Sequence, residues 1–204
     1  MSLLSSLKNS LAYRRSWSLL YWLPTGIFIS NYFFHLKTVS GRSMQPTLNP
    51  DSSQWRDVAL FSKFAVHTTG EYGRDDIVTL RSPEDPKRVL IKRIIAMEGD
   101  NVKTLPPYPD HEVTVPQGHV WVEGDEHFLS DDSNRFGPVS QGLIVSKLVM
   151  IVWPPERFGL VSSKVAPQAA TDYSSKTARQ TLDDVKREQA RHARIELSTS
   201  STAS

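Results

Sequence analysis

Between Arg15 and Lys37 the chain runs for 21 residues, SWSLLYWLPTGIFISNYFFHL, without an Asp, Glu, Lys or Arg. As an α-helix rising ~1.5 Å per residue, that stretch spans about 30 Å, the thickness of a bilayer's hydrocarbon core. Trp17, Tyr21 and Trp22 lie towards one end and Tyr32 and His35 towards the other, where interfacial side chains belong. Pro24 and Asn31 weaken the pattern, although membrane helices accommodate Pro. A cleaved leader has a shorter apolar core and a small-residue site, and no Ala-x-Ala follows Leu36. Residues 16–36 are therefore expected to be an uncleaved transmembrane anchor. The short segment 1–15 carries Lys8, Arg14 and Arg15 and no acid, so the positive-inside tendency puts it on the cytosolic or matrix side. The rest of the chain then lies across the membrane.

Charge is unevenly divided beyond the anchor. Residues 51–162 hold 12 basic and 17 acidic groups, an acidic body with no phosphate-binding surface, which argues against a nucleic-acid partner. The absence of cysteine excludes disulfides, thiol nucleophiles and Cys-based zinc sites. The six histidines form no His-x-x-x-His or His-Glu-x-x-His spacing, so neither a metal nor any other cofactor is expected.

Short β-branched runs fill the middle of the chain: 57–61, 76–80, 88–97, 101–105, 119–122 and 147–153. Gly and Pro separate them, and long amphipathic helices are scarce. The expectation is a mainly β protein, one antiparallel domain over residues 37–162. After about Ser162 the composition turns to Ser, Thr, Ala, Gln and charge. Residues 163–204 read as a largely disordered polar tail, with a thin helix beginning near Thr181 that could bind a partner. Removal of such a tail is expected to leave the domain working.

Two segments carry chemistry. In VSGRSMQPTLNP (39–50), Ser43 sits in a Gly-flanked turn closed by Pro46 and Pro50. Such a turn can hold an exposed nucleophile on rigid backbone, or be an ordinary polar turn. In RVLIKRIIAMEGD (88–100), Lys92 and Arg93 interrupt an apolar strand, and strand alternation sends them to opposite faces. One must meet the apolar side or a cleft. A desolvated ammonium there loses its proton and becomes a base, whereas a snorkelling lysine would be merely structural. His127 could in principle form a triad with Ser43, but no spacing supports it. Asp131 and Asp132 read as turn carboxylates binding backbone amides.

Together these segments resemble the type I signal peptidase family of membrane-anchored Ser/Lys proteases. The nucleophile pattern G-x-S-M-x-P-T is met by Gly41, Ser43, Met44, Pro46 and Thr47. The pattern K-R-(apolar)₂-x-x-x-G-D is met by Lys92, Arg93, Ile94, Ile95, Gly99 and Asp100. A third segment, G-D followed by S-x-D-S, is met by Gly124-Asp125 and by Ser130, Asp132 and Ser133. Within the family, DSNRFGPVS (132–140) is most similar to the mitochondrial inner-membrane branch, because Asn134 stands where Arg usually follows the Asp-Ser pair. That departure puts the family's Asp–Arg ion pair in doubt.

The resemblance implies Ser43 as nucleophile and Lys92 as general base. Gly41, Met44, Pro46, Arg93, Ser130, Asp132 and Ser133 would support the site or the substrate. A neutral lysine at pH 7.4 requires its pKa to fall by roughly three units, so no carboxylate is expected in contact with Lys92. The Ser43 backbone N–H can serve as one oxyanion donor, and Gly41 offers no side chain for a second. The implied substrates are precursor proteins with sorting sequences, delivered to the mitochondrial intermembrane space. The implied partner is a sister catalytic subunit, in a hetero-oligomer on the inner membrane. Two alternatives stay open: a non-catalytic anchored β subunit, and a signal peptidase of another compartment.

Overall fold

The computed structural model describes residues 21–28, 32–51, 53–161 and 185–197. Its framework is an antiparallel sheet with the spatial order β1-β2-β9-β3-β4-β7-β8. The strands are β1 (Phe34–Thr38), β2 (Val58–Ser62), β3 (Ile77–Arg81), β4 (Val89–Ala96), β7 (His119–Glu123), β8 (Val139–Ser140) and β9 (Ile144–Trp153). A short β10 (Gly159–Leu160) pairs with β9. A second sheet holds β5 (Asn101–Lys103), β6 (Glu112–Thr114) and β11 (Ile195–Glu196) in the order β11-β5-β6. Each of the six apolar runs in the sequence thus coincides with a strand.

Both faces of the central strands are covered, which explains why their runs are apolar with little alternation. In β3, Ile77 joins a cluster with Val39, Met44, Leu48, Phe61 and Leu148. The next residue, Val78, joins another with Leu90, Ile94, Val122 and Ile144 on the opposite face. A third cluster, built on Trp121, Ile95 and Val102, links β4 and β7 to the small sheet.

The amino-terminal region departs from the expected 21-residue anchor at its end. Residues 21–28 are helical and exposed, but Phe34, His35 and Leu36 belong to β1, paired with β2 in the register Phe34↔Ser62 to Thr38↔Val58. An apolar run ending in Phe-Phe-His-Leu suits a strand edge as well as a helix. Among the described residues, no helix is long and apolar enough to cross a membrane. Residues 1–20 and 29–31, the short amino-terminal segment and part of the expected anchor, lie outside the described residues.

The tail also departs from expectation. Residues 162–184 and 198–204 lie outside the described residues, so the start of the helix near Thr181 does too. Residues 185–192 are helical, and β11 then pairs antiparallel with β5 through Ile195↔Val102. Ile195 packs against the Trp121 cluster. This part of the tail is ordered because it docks on its own chain. Its half-buried positions, 185, 188, 191 and 194, recur every third residue, as one helical face does.

Candidate active site

The Ser43 turn leaves β1 and is fixed to the body by a cradle of polar contacts. The Asn49 backbone N–H donates to Asp57 Oδ2 (2.8 Å), the Asp57 N–H donates to Asn49 Oδ1 (2.8 Å), and Asn49 Nδ2 donates to the Val39 carbonyl (2.9 Å). Arg157 Nη2 donates to the Thr47 carbonyl at 2.7 Å and pairs with the buried Asp57 at 3.2 Å. Met44 and Leu48 are buried beneath the turn. Gly41 has φ +93°, a left-handed conformation that a side chain would strain, so its glycine is a backbone requirement. Pro46 follows a cis peptide bond. Among the described residues, neither the Oγ nor the backbone N–H of Ser43 has a hydrogen-bond partner, whereas its carbonyl accepts from the Glu126 N–H (3.0 Å).

Strand β4 supplies the lysine. Only 2% of Lys92 is exposed and 6% of Arg93, so both cations are buried, on opposite faces, rather than just one of them. Lys92 Nζ donates to Ser130 Oγ at 2.8 Å. No described carboxylate forms an ion pair with Lys92. Burial pushes its pKa down from 10.5 to about 8, against the pull of Asp132 and Asp131.

Gly124 joins the two halves. A Cβ at that position would lie 2.5 Å from the Ser43 carbonyl oxygen and 2.2 Å from Ser130 Oγ. Only glycine lets the β7 end, the Ser43 turn and the Ser130 turn close together. Ser43 and Lys92 line a common groove of about 320 Å³ with Val39, Leu90, Leu129 and Asp131. β3 pairs along Val89–Arg93, while β7 pairs only with Arg93, Ile94 and Ala96. Among the described residues no strand pairs with the Val89–Lys92 edge of β4 on the β7 side, and an extended peptide can pair there beside the groove.

The Ser130–Ser133 turn positions the lysine's partner. Asp132 caps the helix Ser133–Phe136 by accepting from the Asn134 N–H (3.1 Å), and it also accepts from the Gly124 N–H (3.0 Å). Ser133 Oγ accepts from the Val122 N–H at 3.0 Å. Asp131 instead pairs with Arg88 and Arg135, both at 3.0 Å, and is no backbone cap. Asn134 is buried where the family pattern has arginine; its Nδ2 donates to Glu123 Oε1 (3.0 Å) and its Oδ1 accepts from the Leu105 N–H (2.8 Å). Arg93 forks onto Asp125 at 2.9 and 2.8 Å and reaches Thr47 Oγ1 at 3.3 Å. Among the described residues no His, Asp and Glu cluster could hold a metal.

Sequence reasoning missed Asn49, Asp57 and Arg157, whose contacts to the Ser43 turn join distant segments and follow no local pattern. It also missed Arg191 and Arg194. Arg191 Nη2 lies 3.0 Å from Asp125 Oδ1, and Arg194 forks onto Glu123 at 3.1 and 2.6 Å.

The family described as signal peptidase, peptidase S26, matches residues 14–107 and 103–153. Mitochondrial inner membrane protease subunit 2 of Saccharomyces cerevisiae is 45% identical over 139 residues, 68% of this chain and 78% of that protein. Subunit 2 of Mus musculus is 49% identical over 130 residues, 64% of this chain and 73% of that protein. Subunit 1 of Schizosaccharomyces pombe is 37% identical over 126 residues, 62% of this chain and 78% of that protein.

Proposed function

Because this chain belongs to the signal peptidase S26 family, we propose that it is a membrane-anchored serine endopeptidase working through a Ser43–Lys92 dyad. Its substrates are precursor proteins whose sorting sequences are removed as they reach the mitochondrial intermembrane space. The observation that carries the reading is a buried lysine with no paired carboxylate among the described residues, in the same groove as a serine hydroxyl that bonds none of them. With its pKa at about 8, about one Lys92 in five is neutral at pH 7.4, against about one in a thousand for an ordinary lysine.

In the proposed cycle the precursor lies extended along the free β4 edge and presents its carbonyl to Ser43 Oγ. Lys92 accepts the hydroxyl proton as the new C–O bond forms, then returns it to the leaving amine. The acyl-enzyme is cleaved by a water that Lys92 deprotonates in the same manner. The free Ser43 N–H points to one oxyanion contact. Ser130 holds the lysine on the groove side of its strand.

The relatives named above are mitochondrial inner membrane proteases, which supports an inner-membrane location for this chain. Helical residues 21–28 leave Tyr21, Trp22, Ile27 and Phe28 exposed, which supports an apolar surround for an anchor that ends before β1. The body then faces the intermembrane space with the short amino terminus in the matrix. Ser43 lies nine residues past Phe34, where β1 begins, at most about 32 Å of chain, so the groove stays near the bilayer. The relatives are subunits, so the partner we propose is a sister catalytic subunit in a hetero-oligomer.

Purified wild-type protein should cut a model precursor at its sorting site, and Ser43→Ala should not. Equal cleavage by the two would overturn the dyad. Normal precursor processing in cells carrying Ser43→Ala, with partner levels unchanged, would favour the non-catalytic reading.

A further inference from the structure

The carboxyl-terminal arm, residues 185–197, reaches the part of the body where the two halves of the groove meet. β7 ends at Glu123, and Gly124 and Asp125 follow it. Both carboxylates are buried and each takes an arginine from the arm, Arg194 on Glu123 and Arg191 on Asp125. The glycine between them packs on the Ser43 carbonyl and on Ser130, the partner of Lys92. One residue further on, the Glu126 N–H donates to the Ser43 carbonyl. The arm is secured at its end by the β11–β5 pairing, by Ile195 in the Trp121 cluster and by Arg194 Nη1 on the Lys103 carbonyl.

We infer that Arg191 and Arg194 are positioning residues for the catalytic groove, the arm acting as a built-in clamp on Glu123–Gly124–Asp125; this rests on the proposed protease reading. Two guanidinium groups inserted beside buried carboxylates are costly unless both pairs form with good geometry, and here both do. For Glu123, burial disfavours the charged form, and the hydrogen bond and charge of Arg194, with Trp121 and Asn134, outweigh it. For Asp125, burial is likewise overcome, by Arg93 first and then by Arg191 and Thr47. Arg93 also feels Asp75 and the arm's own Glu188, and His192 of the arm approaches Asp75 at 3.5 Å. Lys92 in turn feels Asp132, Asp131, Arg88 and Asp125. Removing Arg191 leaves more uncompensated negative charge at Asp125 and so favours the ammonium form of Lys92. Removing Arg194 frees the β7 end against which Ser43 and Ser130 are packed.

The test uses the full-length protein with a precursor peptide and reads kcat/KM against pH alongside Tm. Arg191→Gln should move the rising limb to higher pH by about half a unit, about threefold lower kcat/KM below the midpoint, with recovery above it. Arg194→Gln should lower kcat about tenfold through misplacement, and Arg194→Lys should recover part of that. Lys103→Ala, which removes only an exposed pair with Glu196 at the arm's tip, should leave both unchanged. A folded Arg191→Gln protein with the wild-type profile overturns the inference, as does a lowered Tm with an unmoved profile and unmoved kcat. If Arg194→Gln does not fold, Arg191→Gln decides alone, because Asp125 keeps Arg93. If wild-type protein leaves the peptide uncut, or Ser43→Ala cuts it equally well, the protease reading fails and the clamp is judged separately. Acetic anhydride labelling of Lys92, followed by mass spectrometry across pH, supplies that judgement: a midpoint raised in Arg191→Gln supports the clamp, and an unchanged midpoint overturns it.

Discussion

Lys92 and Arg93 are consecutive on β4, equally deep, and set in opposite surroundings. On the Lys92 face the contact is a hydroxyl, and the acids with the largest pull, Asp132 and Asp131, act through space while Arg88 opposes them. On the Arg93 face a carboxylate is forked onto the guanidinium, with a backbone carbonyl from Asp75 at 2.8 Å. Burial disfavours charge on both. For Arg93, the hydrogen bond and charge of Asp125 exceed that effect and raise its pKa, whereas for Lys92 burial prevails. Contact with a carboxylate, not depth, separates the proposed proton acceptor from a structural ion.

Substitutions can break this contrast. The largest effect is expected from Lys92→Arg, which retains charge and burial but cannot give up its proton; precursor-peptide kinetics should show a loss of about 10³–10⁴-fold. An active Lys92→Arg protein would remove the distinction between the two faces. Arg93→Met leaves the buried Asp125 with Arg191 as its paired cation, beside Thr47, and should cost about 3 kcal/mol in urea unfolding. Gly124→Ala forces apart the turn that carries Ser43 and the one that carries Ser130; a loss of about 10²-fold in kcat/KM is expected. Wild-type cleavage by that variant would show that the two faces do not need their shared contact.

Lys92→Met sharpens the same comparison through stability. A folded-state pKa of about 8 against 10.5 unfolded means that the unfolded chain binds more protons between those values. Wild-type stability therefore rises with pH through that window, and below it the desolvation penalty is fully present. Lys92→Met removes it, so the inactive variant should be more stable by about 2–3 kcal/mol at pH 7, with the gain gone above about pH 10.5. A loss of stability at pH 7 would mean that Lys92 is held as a structural cation. The smallest effect belongs to Arg93→Lys, which keeps the charge and one hydrogen bond and should cost about 1 kcal/mol with cleavage retained.

Much of this arrangement was legible in the sequence. Runs such as VALF and RVLIKRIIAM carry strand propensity and burial together, so β2 and β4 stood out. Lys92 stood out because a cation in such a run conflicts with its neighbours. β1 was hidden inside a longer uncharged run, where Phe34 and Leu36 fit either reading and only the pairing with β2 decides. The docked arm was hidden for a different reason. Its inward face is Val185, Glu188, Arg191 and Arg194, which looks like a solvated charge pattern until Glu123 and Asp125 are known to wait beneath it. The Asn49–Asp57–Arg157 cradle includes the Arg157 bond to Thr47, 110 positions away, and leaves no periodic trace.

The place of β9 in the sheet has a consequence for timing. The β1-β2 pair that carries the Ser43 turn and the β3-β4 pair that carries Lys92 do not touch each other as strands; β9 lies between them. Pairs such as Ala59↔Ile151 and Val78↔Lys147 close loops of many tens of residues, late and entropically costly steps in folding. A nascent or truncated chain ending before Ile144 already contains serine, lysine and both hairpins, yet lacks the strand that sets one against the other. If Ser43 and Lys92 act as proposed, proteolytic competence arrives only when nearly the whole domain has been made and assembled, and unfinished copies are inactive.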